Sequence, residues 1–443
     1  MPAIENSPSL APPLVAQPAA ELSWPSRAIA YVTIAFLAIV PLIFSPGMDD
    51  RMVISKETAF RAHAILAAFL AVVAIAFGAT ARMRAMARQR TLLIAIGAAF
   101  VWTLLAAALS TNRMLSMHSL VPVTCSLLLF LAVWYAAPRT PLIALDILVP
   151  VVIANTVLVT LQEYEIWQPF AMPELVQRHL TATGFIGNPN VVGSYLALAA
   201  IILGVAAYAL RGLRRWIYVL GMLVAIGGVL VSQTRTAFIV VVAGAALWAR
   251  AWSFKRAVTI LVLAAVLIGA AAALELPILQ TLRAVPSQLA AGQWSAAFSE
   301  RTSAYFAAIE MFRSRPLTGV GPGTYGFQYM PYRVRAQERY PGVAEGSGTN
   351  FGDAHNDHLQ FLAEVGLPGY VAIVAIGLLL ALGVLRRPRE AASTPRHRVA
   401  RALVIPLLGG VAVLCLAQFP FQIAVTRHLI VTMAALIAGW SES

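Results

Sequence analysis

Two histidines three residues apart, His355 and His358, enclose Asn356 and Asp357 in the segment Gly352-Asp-Ala-His-Asn-Asp-His-Leu-Gln360. Residues at that spacing share a helical face, and Asp353 or Asn356 suits the position that caps a first turn. An imidazole accepts a proton near neutral pH, and a carboxylate such as Asp357, or less readily Glu364, orients it or raises its basicity. Three uses are open: acid–base or substrate contact, polar capping, and metal ligation with Asp353 or Asp357 beside the histidines. The spacing disfavours the third. His-x-x-His lacks the i,i+4 pair with an intervening Glu that marks metallohydrolases, so no metal site is expected.

Upstream lies a second chemistry. Gly319-Val-Gly-Pro-Gly-Thr-Tyr-Gly326 gathers Gly319, Gly321, Gly323 and Gly326 around Pro322. Glycines permit positive φ, and successive N–H groups can make an anion-binding nest. The run has neither the Gly-Lys-Ser/Thr ending of a P-loop nor a preceding strand, so a plain turn and a ligand-bordering turn are both open. Before it, Arg301 opens a stretch with apolar residues at 305, 308, 309 and 312, a helical spacing that Pro316 closes. A cation there stands away from the helix end the dipole favours, which points to a specific partner, either Glu300 or a ligand. After it, Tyr325, Phe327, Tyr329, Tyr332 and Tyr340 alternate with Arg333, Arg335 and Arg339. That mixture suits sugar rings and phosphates, and equally a membrane-interface belt.

The elements that must position these groups are apolar. Of 443 residues 60% are hydrophobic and 12% charged, too apolar for a soluble protein of this size. Twelve runs near the roughly 20 residues needed to cross a bilayer are expected at 28–45, 62–79, 91–110, 119–137, 141–162, 191–210, 216–233, 236–250, 257–277, 367–385, 400–418 and 424–441. The eighth is short. Cys125 and Cys415 both fall inside such runs, which opposes a disulfide framework. The net charge of +13 does not imply a nucleic-acid partner, because most basic residues sit in short gaps between runs, as topology signals do. More than half of them, including Arg82, Arg84, Arg88 and Arg90, Arg211, Arg214 and Arg215, and Arg386 to Arg401, define one side, the cytoplasm by the positive-inside rule. The Pro- and Ala-rich residues 1–24 read as a disordered cytoplasmic tail. A bundle of about nine spans over 25–277, an outer segment 278–366 and about three spans over 367–443 follow. Arg235, Arg301 and the histidine motif then lie on the outer face. His63, His118, His179 and His428 read as interfacial residues near the outer rims, and Asp146 as a group with a structural partner near the cytoplasmic rim.

Four blocks, in order, resemble the bacterial O-antigen ligase/O-antigen polymerase superfamily. They are Gly184-Phe-Ile-Gly-Asn-Pro-Asn190, Ser232-Gln-Thr-Arg-Thr236, Arg301 to Met311 with Arg315-Pro-Leu-Thr-Gly-Val-Gly-Pro-Gly-Thr-Tyr325, and His355 to Gly369. The resemblance covers roughly residues 180–370; residues 1–170 match mainly in hydropathy. It implies an all-α, polytopic glycosyltransferase of GT-C-like class in the bacterial inner membrane, its active site facing the periplasm. It needs no cofactor. The donor it implies is a glycan on undecaprenyl diphosphate; the acceptor is lipid A-core for a ligase or a second lipid-linked glycan for a polymerase. Related enzymes glycosylate protein. Arg235 and Arg301 match arginines that hold the donor diphosphate, and His355 the motif histidine beside the acceptor. Asn188, Asn190, Gly321, Gly323, Tyr325, Asn356, Asp357, His358 and Glu364 are the expected supporting residues, and His358 stands where many relatives carry another residue, often tyrosine. A glycolipid transporter or flippase is the competing class. Such a protein favours broken helices at mid-membrane in two related halves; this sequence shows no clear halves repeat, and its motifs gather at one face.

Overall fold

The computed structural model describes residues 24–45, 52–77, 80–169, 182–250, 255, 258, 277–344, 350–387 and 394–442. The described residues are helical and contain no strand. In chain order the helices are α1 (Trp24–Leu42), α2 (Val53–Ala76), α3 (Ala81–Ala87), α4 (Arg90–Ala108), α5 (Arg113–Ala136), α6 (Ile143–Asp146), α7 (Leu148–Glu163), α8 (Pro189–Ala209), α9 (Leu213–Val231) and α10 (Arg235–Arg250). Then follow α11 (Pro277–Ala290), α12 (Trp294–Ala297), α13 (Thr302–Ser314), α14 (Tyr325–Arg339), α15 (Asp357–Leu385), α16 (Pro395–Leu414) and α17 (Ala424–Trp440). Helix starts carry their signals: Asn112, Asn188, Asn356 and Thr394 each accept a hydrogen bond from a backbone N–H of the first turn.

This is an all-α, multi-pass membrane protein. Among the described residues nine helices, counting α6 and α7 as one span, are long and apolar enough to cross a bilayer. That is fewer than the twelve expected. Helix α17 has 17 residues, a rise of about 26 Å against a hydrocarbon core near 30 Å, and α10 is described over 16 residues, up to the edge of its described segment at Arg250. The expected span at 257–277 lies almost wholly outside the described residues, as does His179.

Burial sorts the helices. Helix α8 is buried almost all round, with Leu196, Leu198 and Ile202 fully enclosed, and packs against α9, α10 and α16. Helices α2, α4 and α9 turn Phe69, Val72, Ile94, Val101, Leu220 and Leu223 outward, the apolar belt that lipid requires. Polar groups inside such a bundle must pair. Arg427 and Glu57 form an ion pair between α17 and α2. His63 and His428, read from sequence as interfacial, are instead buried against each other, Nδ1 of one 2.9 Å from Nε2 of the other. Single-residue context could not reveal a partner 365 positions away. Asp146 has the structural partners expected of it, Arg214 at 3.1 Å and the Tyr218 hydroxyl.

A second, smaller core gathers α13, α14 and the start of α15 around Ala304, Ala308, Met311, Tyr325, Tyr329 and Ala363. It caps one end of the bundle. The opposite end holds Arg82 and Arg387 on Glu442.

Candidate functional site

Helix α15 begins where the histidine motif ends. Asn356 is its N-cap, accepting from Leu359 N at 3.0 Å, while its Nδ2 donates to Leu416 O at 2.9 Å. Asp357 is buried; its N–H donates to Cys415 O at 3.0 Å, and its carboxylate accepts from Phe421 N at 2.8 Å and Gln422 Nε2 at 3.3 Å. Ala354 N donates to the Gln360 side chain at 2.9 Å. These bonds clamp the motif onto the 415–422 turn between α16 and α17. The clamp holds His355 at φ +52, a left-handed conformation that a β-substituted residue adopts only when its surroundings fix it.

The His355 ring stands edge-on between Phe351 and Phe419, with centroids 5.3 and 4.6 Å away. Its Nδ1 is buried without a hydrogen-bond partner. Burial, and then the positive charge of Arg301, pull its pKa from 6.5 down to about 3. The ring is neutral at physiological pH. Neither Asp357 nor Glu364 tunes it: Asp357 is spent on the 421–422 backbone and side chain, and Glu364 faces elsewhere.

His358, three residues on, points away. One ring nitrogen lies 2.9 Å from Ala412 O on α16 and the other 3.0 Å from the Tyr370 hydroxyl. With both nitrogens engaged, His358 is a strut between α15 and α16 and does not converge with His355 on a metal. Among the described residues no group of three or more His, Cys, Asp or Glu side chains could hold an ion.

Arg301 is the N-cap residue of α13. Its Nη1 donates to Ala417 O at 2.8 Å and its guanidinium bonds the Tyr305 hydroxyl. Its charge acts on His355 from one side and on Arg235 from the other. Arg235 opens α10, half-buried, on a turn that Thr234 ties to Pro189 O at 3.0 Å. The same turn packs so closely on α8 that a Cβ at Gly193 would lie 2.5 Å from Thr234 Oγ1. Among the described residues neither arginine pairs with a carboxylate. The two cations lie within electrostatic reach of each other. Asn188 is the N-cap of α8, accepting from Asn190 N at 2.9 Å.

The glycine loop serves another end. Val320 N and Gly321 N donate to Ala363 O and Glu364 O at 2.8 and 3.1 Å. Gly323 N and Tyr325 N donate to the Glu364 carboxylate, so the anion in the nest is the protein's own side chain. A Cβ at Gly321 would lie 1.9 Å from Ser110 Oγ, and one at Gly323 2.5 Å from Ser119 Cβ. The loop is therefore a close-packed seam between the α4–α5 turn and α15. Tyr325 is a strut whose hydroxyl donates to Ala304 O at 2.8 Å.

Sequence reading missed the 415–422 turn, which supplies Ala417 to Arg301, Phe419 to His355 and Phe421 to Asp357. The available signal was Gln418-Phe-Pro-Phe-Gln422, an amide- and proline-bearing interruption between two apolar runs.

Fold and site together define a multi-pass membrane protein that gathers two arginines and a neutral histidine at one end of its bundle. Residues 220–374, which carry Arg235, Arg301 and His355, form an O-antigen ligase family domain. No curated protein matches the chain.

Proposed function

We propose that the chain is an O-antigen ligase-type glycosyltransferase, moving a glycan from undecaprenyl diphosphate to lipid A-core at the periplasmic face of the bacterial inner membrane. The observation that carries this reading is the pair of arginines, unmatched by carboxylates, beside a neutral imidazole. Cleaving a sugar–diphosphate bond develops negative charge on the leaving group, and fixed guanidinium groups stabilise it. Arg235 and Arg301 hold the diphosphate. His355 takes the proton of an acceptor hydroxyl as that oxygen bonds to the anomeric carbon. The bond to the diphosphate oxygen breaks, and undecaprenyl diphosphate leaves with its electron pair. Direct attack inverts the anomeric configuration.

A pKa of about 3 makes the His355 imidazole by itself a poor base, since proton transfer is most efficient near the working pH. Donor binding relieves the lesser of the two causes. A diphosphate on Arg301 offsets the charge that depresses the imidazole, so His355 gains basicity when the electrophile is in place. The reaction is tested by giving purified protein lipid-linked repeat units alone, then with lipid A-core. Capped lipid A-core is expected. Longer lipid-linked chains formed without that acceptor establish a polymerase, transfer only to protein an oligosaccharyltransferase, and flipping without turnover a transporter.

A further inference from the structure

The flank of the bundle away from Arg235 holds a cavity of about 380 Å³, within the roughly 300–1,000 Å³ of small-molecule sites. Helix α4 presents Ile96, Ala99, Phe100 and Thr103 to it, one helical face. Helices α5, α15 and α17 supply most of the other walls, and residues of α8 and α10 take no part. The polar groups cluster at one end. Glu364 and Gln422 stand there with Arg427, while Ile430, Val431 and Ala434 continue the wall along α17 for about 10 Å of helix rise.

Arg427 is the polar group with capacity left. Its two Nη atoms serve Glu57 and Phe421 O, and its ring-facing side stacks on Phe60. Its Nε–H is buried without a partner, a state that is costly until an acceptor arrives. Glu364 is already satisfied by the glycine loop. An apolar shaft of this kind excludes sugars and diphosphates, which would lose their hydration there. It admits a hydrocarbon chain.

The cavity also has a place relative to the chemistry. Arg235 stands on α10, which packs on α8 and α16; the cavity lies among α4, α5, α15 and α17. The segment between them carries His355 on one side and Phe361 and Glu364, which line the cavity, on the other. Transfer between two lipid-anchored molecules needs both chains seated at once. We infer that this cavity seats an apolar chain of the acceptor lipid, opposite the donor. The inference rests on the transfer reaction proposed above.

Two glycines make the test clean. A Cβ at Gly377, which lines the cavity, meets nothing within 4 Å, and the same holds at Gly97, on α4 but outside the lining. Gly377→Leu therefore fills the cavity without forcing the backbone, and Gly97→Leu is its matched control. Full-length protein in nanodiscs is photolabelled with lipid A-core bearing a diazirine on one acyl chain, and separately with undecaprenyl phosphate bearing one on its isoprenyl chain. The acyl probe is expected to label α4, α5, α15 and α17. Gly377→Leu should cut that labelling and raise the acceptor KM roughly tenfold, with the donor KM unchanged, while Gly97→Leu matches wild type. Equal labelling of wild type and Gly377→Leu overturns the site. Preferential labelling of the cavity by the isoprenyl probe overturns the acceptor assignment. Because labelling needs no turnover, a protein that seats the acyl probe yet transfers nothing would refute the proposed reaction and leave the cavity standing.

Discussion

At the residue scale the site turns on where charge is left unpaired. Arg301 caps α13 at the end where a helix dipole disfavours a cation, and its charge reaches Arg235. A guanidinium fork matches phosphate oxygens in pairs, whereas an ammonium is a point charge. Arg235→Lys and Arg301→Lys are each expected to slow transfer roughly 10²-fold, the scale of losing one fixed donor to a developing anion, with the fold retained. Wild-type rates in both would remove the diphosphate clamp. The histidine makes a pH prediction of definite sign. Its depressed pKa keeps the base form populated in the free enzyme well below 6.5, so kcat/KM should show no fall through that range. The profile of kcat, which reports the donor-bound site, should fall at a higher pH than that of kcat/KM. A kcat/KM profile that halves near pH 6.5 would contradict the buried, neutral ring.

At the element scale the site is held by seams that glycine alone permits. Gly366 has φ +69 and divides α15 into a short arm carrying His358 and Glu364 and a long span. A Cβ at Gly366 would lie 2.0 Å from Leu317 O, while Leu367 N donates to Pro316 O at 2.8 Å. Gly366→Ala combines left-handed strain with a backbone clash and should cost more than about 3 kcal/mol. The loss would appear as a lowered melting temperature and loss of folded yield. A variant that melts with wild type would show that the seam gives way easily. Asn356 made the helix start legible, whereas the bend at Gly366 was not read from the sequence. The glycine loop left a plain turn and a ligand-bordering turn both open because its acceptor, Glu364, lies about 40 residues downstream and no local pattern links them. His358 looked like a partner of His355 for the opposite reason: they are close in sequence, but the helix start lies between them and turns one ring to Phe419 and the other to α16.

At the scale of the whole molecule, hydropathy made the all-α membrane class legible and the arginine gaps suggested its sidedness. What hydropathy could not convey was the short length of α17. Nor could it convey the depth of the His63–His428 pair. Sidedness is the assignment on which the periplasmic reading depends. Basic residues crowd the end holding Arg82, Arg214 and Arg387, and the capping core of α13 and α14 occupies the other. Positive charge is retained on the cytoplasmic side during insertion, which supports the proposed placement of α13 and α14 outside. Both native cysteines are buried, so a membrane-impermeant maleimide should report on introduced ones. Leu317, 64% exposed beside the glycine loop, and Leu213, 76% exposed beside Arg214, mark the two ends. In intact cells Leu317→Cys should be labelled and Leu213→Cys spared until the inner membrane is permeabilised. The reverse pattern would place Arg235, Arg301 and His355 in the cytoplasm, where a periplasmic glycan donor could not reach them.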